Sequence, residues 1–225
     1  MQPVSMRAGE VGVLCAERVA ETARLVATAM HGDAAYAFLI PDPGARPAGL
    51  AEFFRARLGM HVAHRCSYLR EGDDGAVTAT VTLRPPGGVS APVATLVRAV
   101  VPFALRHGVG VVRRLAYLSA TYERLEREAA GGRPYWHVHM MAVRADLQGR
   151  GIGRALFADA LAAAPRAGAP IVLTTHEARN VAFYERAGFR VTAEETLRPP
   201  RATPYQVWSM RRDPPEAREG GEARR

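Results

Sequence analysis

Two histidines stand two residues apart just before a glycine-rich turn, and their spacing gives the first indication of chemistry. Side chains two apart on a strand project from the same face, with Cα atoms roughly 6.5–7 Å apart. His137 and His139 would therefore face one site together if this segment is a strand. Because histidine titrates near neutral pH, the pair predicts a general base that removes a proton from a nucleophile. A structural role for each histidine, as a hydrogen-bonding side chain, stays open.

The His-x-His spacing also occurs among zinc ligands. A third ligand would have to come from His176, Glu177 or a distant cysteine, so we expect no metal site. The chain has only two cysteines, Cys15 and Cys66. Two cysteines are too few for a disulfide framework, which indicates a reducing compartment.

The segment that carries the histidines has the alternation of a strand. Apolar and other side chains alternate from residue 135 to residue 143, and a period of two predicts two opposite faces. One face is predicted to hold Trp136, Val138, Met140 and Ala142, and the other Tyr135, His137, His139, Met141 and Val143. A bulge near Met141 would free a backbone N–H to donate to a carbonyl oxygen.

Three glycines at alternate positions follow this strand and open a helix predicted over residues 152–164. They are Gly149, Gly151 and Gly153. Such a turn presents unpaired backbone N–H groups and the positive end of the helix dipole to an anion. The sequence therefore predicts a phosphate cradle directly after the histidine strand.

Two arginines add positive charge to the predicted cradle, Arg150 and Arg154. The chain contains no lysine, which excludes a P-loop. A dinucleotide-binding fold would require differently spaced glycines and an acidic residue roughly 20 positions later, and residues 169–175 offer none.

What does match is Gln-x-x-Gly-x-Gly, formed by Gln148, Gly151 and Gly153. Residues 143–156 and the later run NVAFYERAGF, residues 180–189, together resemble the two hallmark motifs of the GCN5-related N-acetyltransferase (GNAT) superfamily. The His-x-His pair is similar to that of arylalkylamine N-acetyltransferases. The run 179–186 and the late Trp208-Ser-Met210 resemble the puromycin N-acetyltransferase-like branch.

This resemblance implies an acyl-CoA co-substrate, most simply acetyl-CoA, and no metal. The residues that it implies for acyl-CoA binding are Met141, Ala142, Val143, Gln148, Gly149, Arg150, Gly151, Ile152, Gly153, Arg154, Asn180 and Phe183. The amide of Gln148 has two uses open to it, phosphate or a backbone carbonyl. Asn180 has two compatible uses, the pantetheine amide or the cap of a helix that begins there.

Tyr184 is the candidate general acid. A phenol is protonated at neutral pH and can donate to a thiolate as it leaves. The resemblance places this side chain near the thioester sulfur. The alternative is an aromatic side chain that packs a short helix on the sheet beside Phe183 and Phe189.

The 225 residues, 48% of them hydrophobic, predict a single domain with its own core. The resemblance implies that this domain covers residues 1–212. The resemblance implies an α+β GNAT fold: a central, mixed and mostly antiparallel twisted sheet of six or seven strands. Helices flank this sheet, which is splayed between its fourth and fifth strands. Residues 93–130 are predicted to be a helical insertion that shapes the acceptor site, and residues 213–225 a disordered tail.

Local patterns predict the remaining elements. Strands are expected at 11–14, 66–71, 76–83, 171–175, 189–195 and 205–210. Helices are expected at 16–30, 48–64 and 180–187, with two more within 93–129, broken near residues 107–108.

The net charge of +8 comes from scattered arginines, so we expect nucleic acid not to be a partner. No run of about 18 apolar residues and no basic-then-apolar leader is present, which predicts a cytoplasmic protein without a membrane partner. The expected reaction is acetyl transfer to a primary amine of a small molecule, such as an antibiotic or another natural product, by a monomer or homodimer. Another acyl donor, a cyclisation, or a non-catalytic acyl-CoA-binding regulator stays open.

Overall fold

A computed structural model of the chain describes residues 11–89, 93–163 and 168–214. These ranges contain one seven-stranded sheet with the order β1-β2-β3-β4-β5-β7-β6. The strands are β1 (Val11–Val13), β2 (Ser67–Glu71), β3 (Val77–Arg84), β4 (Trp136–Val143), β5 (Ile171–Thr175), β6 (Arg190–Leu197) and β7 (Tyr205–Arg212). All neighbouring strands are antiparallel except β4 and β5. The predicted α+β class and mostly antiparallel sheet are confirmed.

Helices flank the sheet. In the described ranges they are α1 (Val19–Met30), α2 (Ala34–Leu39), α3 (Arg46–Val62), α4 (Val93–His107), α5 (Gly110–Ala129), α6 (Ile152–Ala163) and α7 (Ala178–Arg186). The predicted break falls between α4 and α5, where Gly108 has a φ of 77°. That these two helices are an insertion shaping an acceptor site stays a prediction. No helix in the described part of the chain is long and apolar enough to cross a membrane.

The short helix α2 is absent from the sequence prediction. Asp33 caps it, because one carboxylate oxygen accepts the backbone N–H groups of Ala35 and Tyr36 at 2.9 and 3.4 Å. An aspartate before an Ala- and aromatic-rich hexamer is an N-cap signal that was available in the sequence. The short length of the helix, six residues, explains why periodicity alone did not reveal it.

The sheet opens between β4 and β5. These strands pair only at Trp136 with Ile171 and at His137 with Val172. Beyond His137 the two strands separate, and the second half of β4 has no partner on its β5 side. The predicted splay between the fourth and fifth strands is confirmed.

A bulge interrupts β4 before this opening. Thr82 of β3 faces Met140, but the next residue, Leu83, faces Val138. His139 is therefore the extra residue of the bulge, which lies two positions before the predicted location near Met141.

The bulge changes which side chains share a face. Val138 packs in a cluster with Phe157 of α6, whereas Met140 and Ala142 pack with residues of α1 and α3. The prediction that Trp136, Val138, Met140 and Ala142 share one face is therefore wrong. One extra residue shifts the alternation by one position, so every later side chain moves to the other face.

Two hydrophobic clusters hold these elements in place. One contains Leu50, Phe54 and Leu58 of α3, which are fully buried. The other contains Leu156 and Phe157 of α6, also fully buried. Because each such side chain contributes about 1.5–3 kcal/mol on burial, these clusters hold α3 and α6 firmly within the fold.

Candidate active site

The glycine turn opens a first cavity of about 1190 Å³. Its lining includes the end of β4, the turn and the start of α6, and it continues to α7. Nearly all of the predicted acyl-CoA residues line it: Met141, Ala142, Val143, Gln148, Gly149, Gly151, Ile152, Gly153, Arg154, Asn180 and Phe183. Arg150 is the exception, since its side chain is exposed and does not line this cavity.

Gly149 and Gly151 give the turn its shape. Both have a φ of 80°, a left-handed conformation that side chains with a Cβ rarely adopt. No atom lies within 4 Å of where a Cβ would stand on either residue, so the space beside the backbone is open. The turn therefore leaves its backbone accessible at the N-terminus of α6, as an anion site requires.

Gly153 serves packing. A Cβ there would lie 2.9 Å from Val143 Cγ2 and 3.0 Å from Met141 Cε. The absence of a side chain thus lets α6 approach β4 closely beside the opening of the sheet. Gln148 donates from Nε2 to the carbonyl of Val143 at 3.2 Å. Of the two predicted uses of its amide, the structure therefore contains the hydrogen bond to a backbone carbonyl.

A second cavity of about 680 Å³ lies on the other side of the opening. His137 and His139 line it together, as do the buried carboxyl of Glu126 and the guanidinium groups of Arg57 and Arg84. This cavity thus combines an aromatic and apolar wall with a group of ionisable side chains.

The two cavities meet at the separation of β4 from β5. Six residues line both: Met30, Asp33, Met141, Glu177, Asn180 and Tyr184. A molecule in the first cavity and one in the second could therefore contact each other beside Met141 and Tyr184.

Tyr184 has features of both of its predicted roles. Its ring packs on Phe157, Phe183 and Phe189 with centroids 5.6, 5.2 and 6.0 Å away. Burial raises the pKa of its phenol to about 12, so the hydroxyl holds its proton at neutral pH. Its role as an acid stays a prediction, and its position between the cavities is compatible with it.

Asn180 does not cap α7. That helix begins at Ala178 with Glu177 in the cap position, so Asn180 lies within the first turn. Its Nδ2 donates to Thr175 Oγ1 at 3.3 Å, which ties α7 to the end of β5. The cap prediction is wrong because the helix starts two residues earlier, while a role toward pantetheine stays a prediction.

His137 is buried beside a carboxyl group. Its Nε2 lies 3.3 Å from Glu126 Oε1, and Tyr135 donates its hydroxyl to Glu126 Oε2 at 3.2 Å. Burial raises the pKa of Glu126 to about 7, although Arg84 and Arg57 act in the opposite direction. Burial and the same two arginines hold the pKa of His137 well below its usual value.

His139 is held by an arginine. Arg57 donates from Nε and Nη2 to His139 Nε2 at 3.1 and 2.7 Å. Guanidinium groups only donate, so this ring nitrogen uses its lone pair as an acceptor. Burial, followed by the charge of Arg57, keeps the pKa of His139 well below its usual value. The imidazole is thus neutral, with the nitrogen that faces Arg57 already occupied.

His176, which the sequence analysis considered only as a possible zinc ligand, also lines the second cavity. His176 follows β5, and its Nδ1 lies 2.6 Å from Asp33 Oδ2. Its Nε2 lies 2.7 Å from the hydroxyl of Tyr122 on α5. No sequence signal relates these three positions, because 143 residues separate Asp33 from His176.

Within the described residues, no group of three or more His, Cys, Asp or Glu side chains is arranged to hold a metal ion. His176, considered above as a further zinc ligand, is instead paired with Asp33. Cys15 is exposed and Cys66 is buried, and both are free thiols.

Comparison with known proteins identifies the fold. The family model described as an acetyltransferase (GNAT) domain matches residues 107–191. This range includes β4, the glycine turn, α6, β5 and α7. The part of the chain that carries the histidine strand and the glycine turn therefore matches a GNAT acetyltransferase domain, as its motifs predicted.

Solved structures agree over nearly the whole chain. The C-terminal condensation domain of Ebony, in complex with β-alanyl-dopamine, has a TM-score of 0.68 at 10% identity and covers 91% of this chain and 98% of that one. A histone acetyltransferase HPA2-related protein from Corynebacterium glutamicum has a TM-score of 0.58 at 17% identity and covers 92% of this chain and 97% of that one. Arylalkylamine N-acetyltransferase 2 from Aedes aegypti has a TM-score of 0.56 at 9% identity and covers 91% of this chain and 98% of that one. At these identities the likeness shows the shared fold.

Proposed function

We propose that the protein transfers the acetyl group of acetyl-CoA to a primary amine of a small molecule, such as an antibiotic or another natural product. The observation that carries this proposal is the meeting of the two cavities at Met141 and Tyr184. Such a junction lets an amine in the second cavity attack a thioester in the first directly, without a covalent enzyme intermediate.

The first cavity fits acyl-CoA as a substrate. The pyrophosphate would lie on the backbone N–H groups of residues 149–154, next to the side chain of Arg154, and the pantetheine would run along β4 toward Asn180. The thioester carbonyl would be bound at the free edge of β4 near Met141, where β5 has separated. Acyl-CoA supplies the activated acyl group, and the protein holds it at the junction.

The second cavity fits a compact, partly aromatic amine. Tyr36, Phe53 and Leu118 contribute apolar and aromatic surface to it. Its volume of about 680 Å³ lies in the range typical of small-molecule sites, roughly 300–1,000 Å³. These features support a small acceptor molecule.

Two proton movements complete the reaction. The amine arrives as an ammonium ion and must lose a proton before it attacks, and the thiolate of CoA must gain one. Tyr184 would donate the second proton, because its hydroxyl is protonated at neutral pH and lies at the junction. The first proton has two histidine sites as acceptors, the pair on β4 predicted from the sequence and His176.

A screen of primary amines with acetyl-CoA tests the proposal. Released thiol would report turnover, and the intact mass of each product would show a gain of one acetyl group. The screen repeated with longer acyl-CoAs distinguishes acetyl transfer from the use of another donor. Absence of thiol release with every amine would contradict an N-acetyltransferase function and favour an acyl-CoA-binding regulator.

A further inference from the structure

Asp33, His176 and Tyr122 form a hydrogen-bonded chain in the wall of the second cavity. Asp33 Oδ2 lies 2.6 Å from His176 Nδ1, and Tyr122 Oη lies 2.7 Å from His176 Nε2. Tyr205 extends the chain, with its hydroxyl 3.0 Å from that of Tyr122. The side chains of Asp33 and His176 are only 15% and 14% exposed, so these hydrogen bonds are formed largely away from water.

The chemistry of the partners fixes the direction of the hydrogen bonds. A carboxylate only accepts, so the Nδ1–H of His176 donates to Asp33. The Nε2 of His176 then has a free lone pair and accepts the hydroxyl proton of Tyr122. Tyr122 Oη can accept from Tyr205 and still has a lone pair for a further donor.

The chain is positioned where an amine would react. Tyr122 and His176 line the second cavity, and Asp33 lines both cavities at their junction. Asp33 is also fixed there by the N-terminus of α2, because its other carboxylate oxygen caps that helix. The carboxylate is therefore held in place independently of the histidine.

We propose that this chain accepts the proton that the acceptor ammonium loses, an assignment that rests on the proposed acetyl transfer. The ammonium N–H donates to Tyr122 Oη while the hydroxyl proton of Tyr122 passes to His176 Nε2. The imidazolium formed is stabilised by Asp33, and Tyr122 is a neutral phenol again. His176 later releases this proton to water.

The remaining steps balance. The neutral amine attacks the thioester carbon, forming the C–N bond, and the C–S bond breaks as the tetrahedral intermediate collapses. Tyr184 gives its proton to the departing sulfur. The attacking nitrogen then loses a second proton, which returns the phenolate of Tyr184 to a phenol. One proton thus leaves through His176 for each amide formed.

The surroundings of the two histidine sites favour His176 as the acceptor. His139 faces the guanidinium of Arg57, and a second positive charge next to it would be repelled. His137 lies 3.3 Å from the carboxyl of Glu126, but burial and the charges of Arg84 and Arg57 oppose its protonation. His176 instead faces Asp33, while the other ionisable groups around it are Tyr122 on α5, Tyr205 on β7 and the adjacent Glu177. A carboxylate neighbour stabilises the charged imidazole that proton transfer creates.

Three variants test the chain, with one matched control. His176→Gln removes the proton acceptor, and Tyr122→Phe removes the hydroxyl that contacts the amine. Asp33→Asn keeps an oxygen to cap α2 but places an amide N–H against His176 Nδ1, which reverses the tautomer. His31→Gln is the control, because His31 lines neither cavity.

The measurement compares two acceptors. One is the amine with the highest kcat/KM in the screen, and the other is its analogue with fluorine on the carbon next to the aminomethyl group, which weakens the basicity of the nitrogen. Each of the three variants is expected to lose about 10²-fold in kcat/KM with the parent amine. The loss should shrink to less than tenfold with the fluorinated amine, because more of it is already neutral. Acetyl-CoA affinity and Tm should match those of His31→Gln.

The outcomes separate this inference from the proposed function. An equal loss with both amines would overturn the proton role and make the chain structural. Unchanged kcat/KM in His176→Gln would overturn it as well, with acetyl transfer itself intact. A wild-type protein that acetylates no amine would overturn the proposed function and the proton role with it.

Discussion

The two cavities on either side of the sheet opening present different chemical groups. The first includes a turn of accessible backbone, with Gly149 and Gly151 in left-handed conformations at the start of α6. The second contains Glu126, whose pKa burial raises to about 7, and two histidines whose pKa values burial lowers. A backbone site binds a constant group such as a pyrophosphate, whereas buried ionisable side chains are suited to moving protons.

The second cavity is itself divided. On β4, His139 is held by the guanidinium of Arg57, and on the β5 side His176 is held by the carboxylate of Asp33. The same residue type therefore has opposite electrostatic neighbours within one cavity. Proximity to a reacting group is thus insufficient to assign a base, because the neighbour decides whether the charged form is stable.

The largest expected effect concerns the buried charge of the second cavity. Because the pKa of Glu126 is about 7 in the folded protein and near 4.5 otherwise, its ionisation opposes folding. Stability should fall as pH rises from about 4.5 to about 7 and then level off. Glu126→Gln should remove this fall. The difference in free energy of unfolding between the variant and the wild type should therefore shift by roughly 3 kcal/mol in favour of the variant when the pH is raised from 5 to 9.

Urea denaturation at both pH values measures this difference. Glu128→Gln provides the control, since Glu128 lies on the same helix but is exposed and pairs with Arg124. If both variants follow the wild-type pH dependence, Glu126 is not the buried acid of the second cavity.

Tyr184, which lies between the cavities, should show the next largest effect. Tyr184→Phe keeps the ring contacts with Phe157 and Phe189 but removes the proton, so kcat should fall about 10²-fold while Tm barely changes. Steady-state kinetics and thermal unfolding measure the two quantities. A loss of stability that parallels the loss of rate would favour a packing role.

Acetyl-CoA affinity tests the first cavity alone. Gly151→Val introduces a side chain at a φ of 80°, in the space that phosphates would occupy. Binding should weaken at least tenfold, or about 1.4 kcal/mol, in isothermal titration calorimetry. Gly75→Val is the control, because Gly75 has a φ of 72° and open space around it but lies in the β2–β3 turn. Equal affinity in the two variants would exclude the glycine turn as the phosphate site.

The smallest expected effect is that of the β4 histidines. The double variant His137→Gln and His139→Gln should lose less than tenfold in kcat/KM and keep the wild-type ratio between the parent and fluorinated amines. Its acetyl-CoA affinity should also be unchanged. A loss as large as that of His176→Gln, confined to the parent amine, would instead assign the role of proton acceptor to the β4 pair predicted from the sequence.

The sequence by itself determined the first cavity and most of the elements around it. The strand 136–143, the glycine turn and the helix from residue 152 follow one another along the chain, and each depends on nearby side chains and on the φ preferences of glycine. The resemblance to GNAT motifs added the splay between the fourth and fifth strands. Such local features can be predicted because the residues that cause them are neighbours in sequence.

The tertiary structure decided the second cavity. The pairing of β4 with β3 places the bulge at His139, which reverses the faces that simple alternation predicts. The contact of Arg57 with His139 joins positions 82 residues apart, and that of Tyr122 with His176 joins positions 54 apart. No periodicity encodes these contacts, because they form only when separate helices and strands pack against each other. The electrostatic neighbour of each histidine is therefore a property of the packed fold.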